Sequence, residues 1–171
     1  YKGLLKTAIR DDNPVAFIEH KRTYGRRGPV PKEEYLIPIG VADIKRPGKD
    51  VTIIATANMV YEALVAAEEL SKDGIEVEVV DPRTLKPLDT ETLAESVRKT
   101  HKCIIVNEGC KTGGFASEVA ATLGELVFDY LDAPLTRVAA EDITMPANMR
   151  LEAEAIPQVK DITEAARSLM G

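Results

Sequence analysis

The residues best suited to chemistry in this chain lie in a glycine-containing stretch, residues 107–118. This stretch follows the apolar run Cys103–Val106 and precedes a long amphipathic segment, which is the strand–turn–helix order in which α/β proteins place working loops. Within it, Glu108 is a candidate acid or base and Cys110 a candidate nucleophile. Neither residue has a partner in a recognisable catalytic pattern. The favoured interpretations are therefore a hydrogen-bonding loop carboxylate and an inert thiol.

Phosphate and metal chemistry have equally little support. Gly113 and Gly114 lack the Gly-Lys-Ser/Thr ending of a P-loop and the spaced glycines of a dinucleotide fingerprint, so they are predicted to let a helix pack closely on a strand. His20 is interpreted as a residue that hydrogen-bonds the backbone, and His101 as solvent-exposed. Arg83 is interpreted as a structural bridge to Asp81 or to a neighbouring domain. Two histidines and two cysteines offer no cluster of metal ligands.

Composition sets the broad class. The chain has 171 residues, of which 44% are hydrophobic and 29% charged, with a net charge of −6. This is the profile of a globular domain, and the acidic balance argues against nucleic-acid or anionic-membrane partners. No apolar run approaches the ~20 residues of a bilayer-spanning helix. Both thiols are expected to be reduced, which predicts a bacterial cytoplasm or an organellar matrix.

Hydrophobic periodicity places alternating strands and helices in the second part of the chain. Strands are predicted at Val51–Ala55, Ile75–Val80, Cys103–Val106 and Leu135–Ala139, and helices at 58–74, 90–99, 115–130 and around 162–169. This rhythm predicts an α/β fold, a three-layer structure with a mostly parallel sheet and helices on both faces. Asp89 is predicted to cap the second of these helices. Glu76 and Glu78 alternate with valines, which predicts a partly exposed strand near the sheet edge.

The amino-terminal part reads differently. An amphipathic helix around Leu4 to Ile9 is followed by a predicted strand, Val15–Ile18, and this pair cannot bury itself. We therefore expect residues 1–24 to be the end of a preceding domain, and the chain to be a fragment of a longer protein. Residues 25–47, rich in Gly, Pro and charge, are predicted to be a linker with a short edge segment around Tyr35 to Ile39. Residues 48–171 form the predicted compact domain.

Eight separated runs share one family pattern. They are Gly3–Lys6, Asp12–Val15, Ile37–Gly40, Lys49–Ile53, Asp81–Asp89, Thr112–Phe115, Phe128–Pro134 and Ile156–Ile162. In this order and spacing the chain resembles the beta subunit of thiamine-diphosphate-dependent 2-oxoacid dehydrogenases. These subunits belong to the decarboxylating first component of the pyruvate, branched-chain 2-oxoacid and acetoin dehydrogenase complexes.

The resemblance implies a transketolase carboxy-terminal-type domain preceded by the tail of a pyrimidine-binding domain. It also implies a full enzyme that uses thiamine diphosphate and Mg. The family's cofactor-activating glutamate and active-site histidine lie upstream of any position matched here. The resemblance thus implies that this chain alone binds no cofactor and is inactive. The last run favours pyruvate as the substrate of the full enzyme, whereas the run 112–118 leans toward the branched-chain type.

The role implied for this part of the subunit is assembly. The family's alpha subunit, a second beta subunit and the basic subunit-binding domain of the acyltransferase are the implied partners. The family's Asp-Ala-Pro aspartate contacts that binding domain, and the matching residue here is Asp132. A freestanding flavodoxin-like module that binds a nucleotide at the switch point of its sheet is the alternative. The missing glycine fingerprint counts against it.

Overall fold

The computed structural model describes residues 1–171. The α-helices are α1 (Lys2–Arg10), α2 (Met59–Lys72), α3 (Thr90–Thr100), α4 (Phe115–Val127), α5 (Met149–Ala155) and α6 (Val159–Met170). The strands are β1 (Asp43–Arg46), β2 (Val51–Ala55), β3 (Val77–Asp81), β4 (Cys103–Cys110) and β5 (Thr136–Ala140). Short 3-10 turns span Lys21–Thr23 and Phe128–Tyr130.

The five strands form one sheet in the order β1-β3-β2-β4-β5. All neighbouring pairs are parallel except β1 with β3, which is antiparallel. One apolar cluster packs α2 and α6 against one face of the sheet, and a second packs α3 and α4 against the other. The predicted α/β fold with helices on both faces is confirmed. None of the helices is long and apolar enough to cross a membrane.

Two expectations about the edge of the sheet that β1 and β3 form are wrong. The edge strand is β1, inside the predicted linker, and not the segment around Tyr35 to Ile39. That segment lies on α1, where the Thr7 hydroxyl donates to the Ile37 carbonyl at 2.7 Å. Glu78 is fully buried, because β1 covers β3 and because its carboxylate accepts hydrogen bonds from Ser96 Oγ (2.5 Å), Lys99 Nζ and the Gly48 amide.

The predicted strand at Val15–Ile18 is also wrong. These residues have irregular structure, and Val15 and Ile18 are exposed, because no neighbouring strand offers backbone partners. The helix before them is present as α1. It packs on residues 31–37, and a Cβ atom on Gly3 would lie 2.5 Å from the Tyr35 ring.

Several local predictions are confirmed and others are refined. Asp89 caps α3 by accepting from the Thr92 amide at 3.1 Å, whereas the Asn58 side chain makes no cap bond to α2. The buried face of α4 is Ala116, Val119, Leu123 and Val127. Leu126 and Tyr130, which lie within the helix predicted over 115–130, are exposed. The helix α5 was not predicted, because its seven residues are too short to show a periodic stripe.

Candidate functional site

Asp132 lies on the turn between the 3-10 turn Phe128–Tyr130 and β5. Its amide donates to the His101 carbonyl at 2.9 Å, and His101 Nδ1 lies 2.8 Å from the Tyr130 carbonyl. His101 itself has φ 59°, the left-handed conformation that ends α3. These backbone contacts fix the turn, and the Asp132 side chain points into solvent without an ion pair within the chain. The exposure of Asp132 is compatible with a partner contact, and that role stays a prediction.

Aromatic side chains flank this aspartate. The Phe128 side chain is 75% exposed and Tyr130 is 49% exposed, and Asp129 between them is exposed as well. The Arg98 guanidinium lies 5.7 Å from the centre of the Tyr130 ring. Exposed aromatic residues beside unpaired carboxylates are the composition found at protein interfaces, where an apolar anchor is surrounded by polar groups.

The end of α6 lies at the same end of the sheet. Lys102, which follows His101 and precedes β4, places its Nζ 3.7 Å from Met170 Sδ. The amino ends of β4 and β5, the Asp132 turn and the last turn of α6 therefore share one side of the domain.

The glycine-containing stretch is at the opposite end, and β4 continues through Asn107 to Cys110 before the turn begins. Two of its amide donors are used within the chain, since the Thr112 amide donates to Asp142 Oδ1 at 2.9 Å and the Lys111 amide to the Ala140 carbonyl at 3.0 Å. A Cβ atom on Gly114 would lie 2.2 Å from the Cys110 carbonyl oxygen. The predicted close packing of helix on strand is confirmed at Gly114.

Glu108 and His20, which were considered separately in the sequence, are in direct side-chain contact. His20 Nε2 lies 2.6 Å from Glu108 Oε2, and both side chains are about one quarter exposed. His20 Nδ1 accepts from the Arg22 amide at 3.2 Å, so the proton of the neutral ring is on Nε2 and points to the carboxylate. With both ring nitrogens engaged in these contacts, the pair is a structural clasp and not a free base.

This clasp lies beside the crevice where doubly wound sheets bind ligands. The connections from β2 and β4 leave toward opposite faces, so the switch point falls between the carboxyl ends of these neighbouring strands. Arg26 approaches the helix that follows β2, 3.7 Å above the Tyr61 ring and 3.5 Å from Asn58 Oδ1. The chain's own segment 20–26 therefore lines this crevice.

Arg83 is a structural bridge, as predicted, although its main partner is in β1. It has φ 59°, its amide donates to Asp81 Oδ1 at 2.9 Å, and Nη2 lies 2.6 Å from Asp43 Oδ2. Burial raises the pKa of Asp81. Burial also acts to raise the pKa of Asp43, but hydrogen bonds from Lys45 and Arg83 outweigh it and hold the pKa below its ordinary value.

The residues present do not fit a thiamine diphosphate–magnesium site. The chain has no cluster of three His, Cys, Asp or Glu side chains that would hold a metal ion. At the turn before α4, Asp142 accepts from both the amide and the hydroxyl of Thr112, and this carboxylate would repel a diphosphate. The non-binding of the cofactor by this chain stays a prediction.

Fold and site together define a doubly wound α/β domain. It has an exposed acidic turn at one end of the sheet and, at the other end, a crevice lined by residues 20–26 of the same chain. Residues 40–162 match the family "Transketolase, C-terminal domain". The chain belongs to this family.

Curated relatives carry one further description. The chain is 47% identical to "Pyruvate dehydrogenase E1 component subunit beta" of Bacillus subtilis over 99% of its length, and 43% identical to the Gracilaria tenuistipitata subunit of the same description over 99%. Subunit beta-1 of the mitochondrial enzyme of Arabidopsis thaliana is 45% identical over 97% of the chain. The chain covers 52%, 52% and 47% of these relatives, so it spans about half their length.

A solved structure gives the same fold. A split-gene transketolase, described as an inactive beta4 tetramer, matches with a TM-score of 0.68 and 29% identity, over 79% of this chain and 44% of that one. The resemblance inferred from eight sequence runs is thereby confirmed.

Asp132 is named as a candidate from the sequence, and its role stays a prediction, whereas Phe128 and the contact made by Arg26 are not named. Phe128 was not singled out, although an aromatic residue beside the Asp-Ala-Pro run was a visible signal. Arg26 lies in the predicted linker, and nothing in its sequence neighbourhood indicates that it packs on Tyr61.

Proposed function

We propose that this chain is the carboxy-terminal part of the beta subunit of a thiamine-diphosphate-dependent 2-oxoacid dehydrogenase, with pyruvate as the first-choice substrate. The observation that carries the proposal is the 43–47% identity over nearly the whole chain to beta subunits of pyruvate dehydrogenase. In this role residues 1–24 end a pyrimidine-binding domain, and residues 25–47 link it to the second domain, residues 48–171, to which they also give the edge strand β1. The compartment is a bacterial cytoplasm or an organellar matrix.

Thiamine diphosphate and Mg belong to the full enzyme in this proposal, and the chain itself is inactive. The turn before α4 supports this, because the Lys111 and Thr112 amides donate within the chain and the Asp142 carboxylate occupies the turn. The chain contributes to assembly with the alpha subunit and a second beta subunit, and it docks the basic subunit-binding domain of the acyltransferase through Asp132. Its unpaired carboxylate, next to exposed Phe128, suits a basic partner that also presents apolar surface.

The test is titration of the chain with an acyltransferase subunit-binding domain, by calorimetry at low and high salt. We expect binding that weakens with salt and that falls at least about tenfold in Asp132→Asn, because exposed interfacial charges act through screened Coulomb attraction. Glu68→Gln, an equal charge change on the exposed face of α2, is the matched control and should bind like the wild type.

Absence of binding by a folded sample would contradict the docking role. The nucleotide-module alternative would then return, and flavin absorbance or nucleotide titration would examine it. Occupation of the switch-point crevice by Arg26 counts against that alternative.

A further inference from the structure

The outer edge of β5 borders a cleft that nothing in the chain fills. β5 pairs only with β4, so one side of its backbone is without a strand partner. A cleft of about 480 Å³ runs beside Thr136–Ala139, between this edge, the α5–α6 connection and α6. An unpaired strand edge offers N–H and C=O groups to an added strand.

The walls of this cleft are acidic. Glu141, Glu154 and Glu164 are exposed on three sides, and none of them makes an ion pair within the chain. Asp161 also lines the cleft, with one carboxylate oxygen accepting from the Gln158 amide at 2.7 Å.

Arg137 is the one basic residue that lines the cleft, and its guanidinium is directed elsewhere. Its Nη1 donates to the Lys111 carbonyl at 2.6 Å and to Ser117 Oγ at 2.5 Å, toward the start of α4. The carboxylates of the cleft are therefore not neutralised from within.

The floor between these carboxylates is apolar. Val138, Ile156, Pro157 and Ala165 line the cleft, and Ile156 and Pro157 are buried. A strand added to β5 places alternate side chains on the two faces of the sheet, so one set would lie over this cleft, where long side chains could cover the apolar floor and reach the carboxylates with their charged ends.

We propose that the β5 edge and its cleft bind an extended, basic segment of another chain by strand addition. Lysine or arginine at alternate positions would pair with Glu141, Glu154 and Glu164, and the backbone would pair with β5. A second copy of this chain fits less well, because it would bring the same carboxylates against each other and like charges oppose association. The proposal concerns a different set of residues from Asp132 and stands without the docking role proposed above.

The experiment uses the chain and a short capped peptide of alternating lysine and valine, labelled for fluorescence anisotropy. We expect saturable binding that weakens as salt rises, with slowed amide exchange at residues 136–140. The peptide of alternating glutamate and valine should not bind. Glu154→Lys/Glu164→Lys should weaken binding at least tenfold, and Glu68→Lys/Glu69→Lys, with the same charge change on exposed positions of α2, should not.

Backbone pairing is tested with two versions of the peptide, N-methylated at alternate amides in one register or the other. Strand addition predicts that one version binds and the other does not, whereas side-chain attraction alone predicts that both bind. Equal binding by both versions, or unchanged binding by the Glu154→Lys/Glu164→Lys variant, would overturn the proposal. So would a free chain that sediments as a dimer with the β5 amides already protected, since a second copy would then occupy the edge.

Discussion

His20 and Glu108 are 88 positions apart in the sequence, and their side chains meet at 2.6 Å between Nε2 and Oε2. One residue precedes the 3-10 turn Lys21–Thr23, and the other lies near the end of β4. A second pair acts in the same place, since Arg22 Nη2 lies 3.0 Å from Glu152 Oε1. Together these pairs hold the amino-terminal segment at the carboxyl end of the sheet.

Removal of the clasp should release this segment without unfolding the domain. We expect His20→Ala to lower the free energy of unfolding by less than about 1 kcal/mol, because the pair is partly exposed. Proteolysis within residues 19–30 should nevertheless become faster, because the change lowers the free energy needed to open this segment locally. A double-mutant cycle with Glu108→Gln measures the coupling. Proteolysis as slow as in the wild type would contradict the clasp.

The Gly48 backbone lies directly on β3. A Cβ atom there would be 2.2 Å from the Glu78 nitrogen and 2.2 Å from the Val77 carbonyl carbon, and backbone atoms cannot move aside as a side chain can. Gly48→Ala should therefore destabilise the chain by about 2 kcal/mol or more, as strained or overpacked substitutions do. Urea denaturation measures the change.

Gly124 in α4 is the matched control for that substitution, because a Cβ atom there would meet nothing within 4 Å. Gly124→Ala should raise stability by about 0.5–1 kcal/mol, since alanine restricts the unfolded chain and favours helix. If both substitutions had the same sign, close packing at residue 48 would not be the cause.

Glu78 and Lys99 should show strong coupling in stability. Glu78→Leu leaves the donors of Ser96 and Gly48 without their acceptor, and Lys99→Met leaves a buried carboxylate without its cation. Each single change should lower the free energy of unfolding by about 1–3 kcal/mol. The loss should be smaller for Lys99→Met, because about half of the Lys99 side chain is exposed to water. The double variant should lose less than the sum of the two. Additive losses in thermal or urea unfolding would show that the pair does not interact.

Asp43 and Asp81 should give opposite pH dependences. The folded-state pKa of Asp43 lies below its ordinary value of 3.8, so it contributes stability above that pH, and the contribution is lost as the pH falls through the lowered pKa. Asp43→Asn should therefore be destabilising at pH 7 and approach the wild type in acid. The folded-state pKa of Asp81 is raised by burial. The stability that this carboxyl contributes is therefore fully present below pH 3.8 and is lost as the pH rises through the raised pKa.

Asp81→Asn keeps an oxygen that accepts from the Arg83 amide. Its free energy of unfolding, relative to that of the wild type, should therefore be highest at neutral pH. Urea denaturation of both variants from pH 3 to pH 7 checks the two signs. Parallel curves for the two variants would contradict the assignment.

The alternation of strands and helices was predictable because its signals are local. Val51–Ala55 is a continuous apolar run, and Asp89 precedes its helix as a capping residue should. The features that were missed depend on residues far apart in the chain. Glu78 looked exposed because the donors that allow its burial, on Gly48, Ser96 and Lys99, are not its sequence neighbours.

The candidate site divides along the same line. Asp132 is named because it matches the family's Asp-Ala-Pro aspartate, which lies in a run that is contiguous in the sequence, and its role stays a prediction. The contact between His20 and Glu108 was not predictable, because nothing in the sequence around either residue indicates that the two side chains meet. The acidic cleft beside β5 likewise combines Glu141 with residues of α5 and α6.

Arg26 above Tyr61 makes the amino-terminal segment a tethered competitor at the switch-point crevice. A tethered group acts at an effective concentration on the order of millimolar, whatever the amount of protein in solution. A small molecule could bind there only by displacing this segment, so a weakly binding molecule would occupy the crevice to a very small extent. The attachment of the amino-terminal segment thus closes an evolutionary route to ligand binding that the bare sheet would leave open.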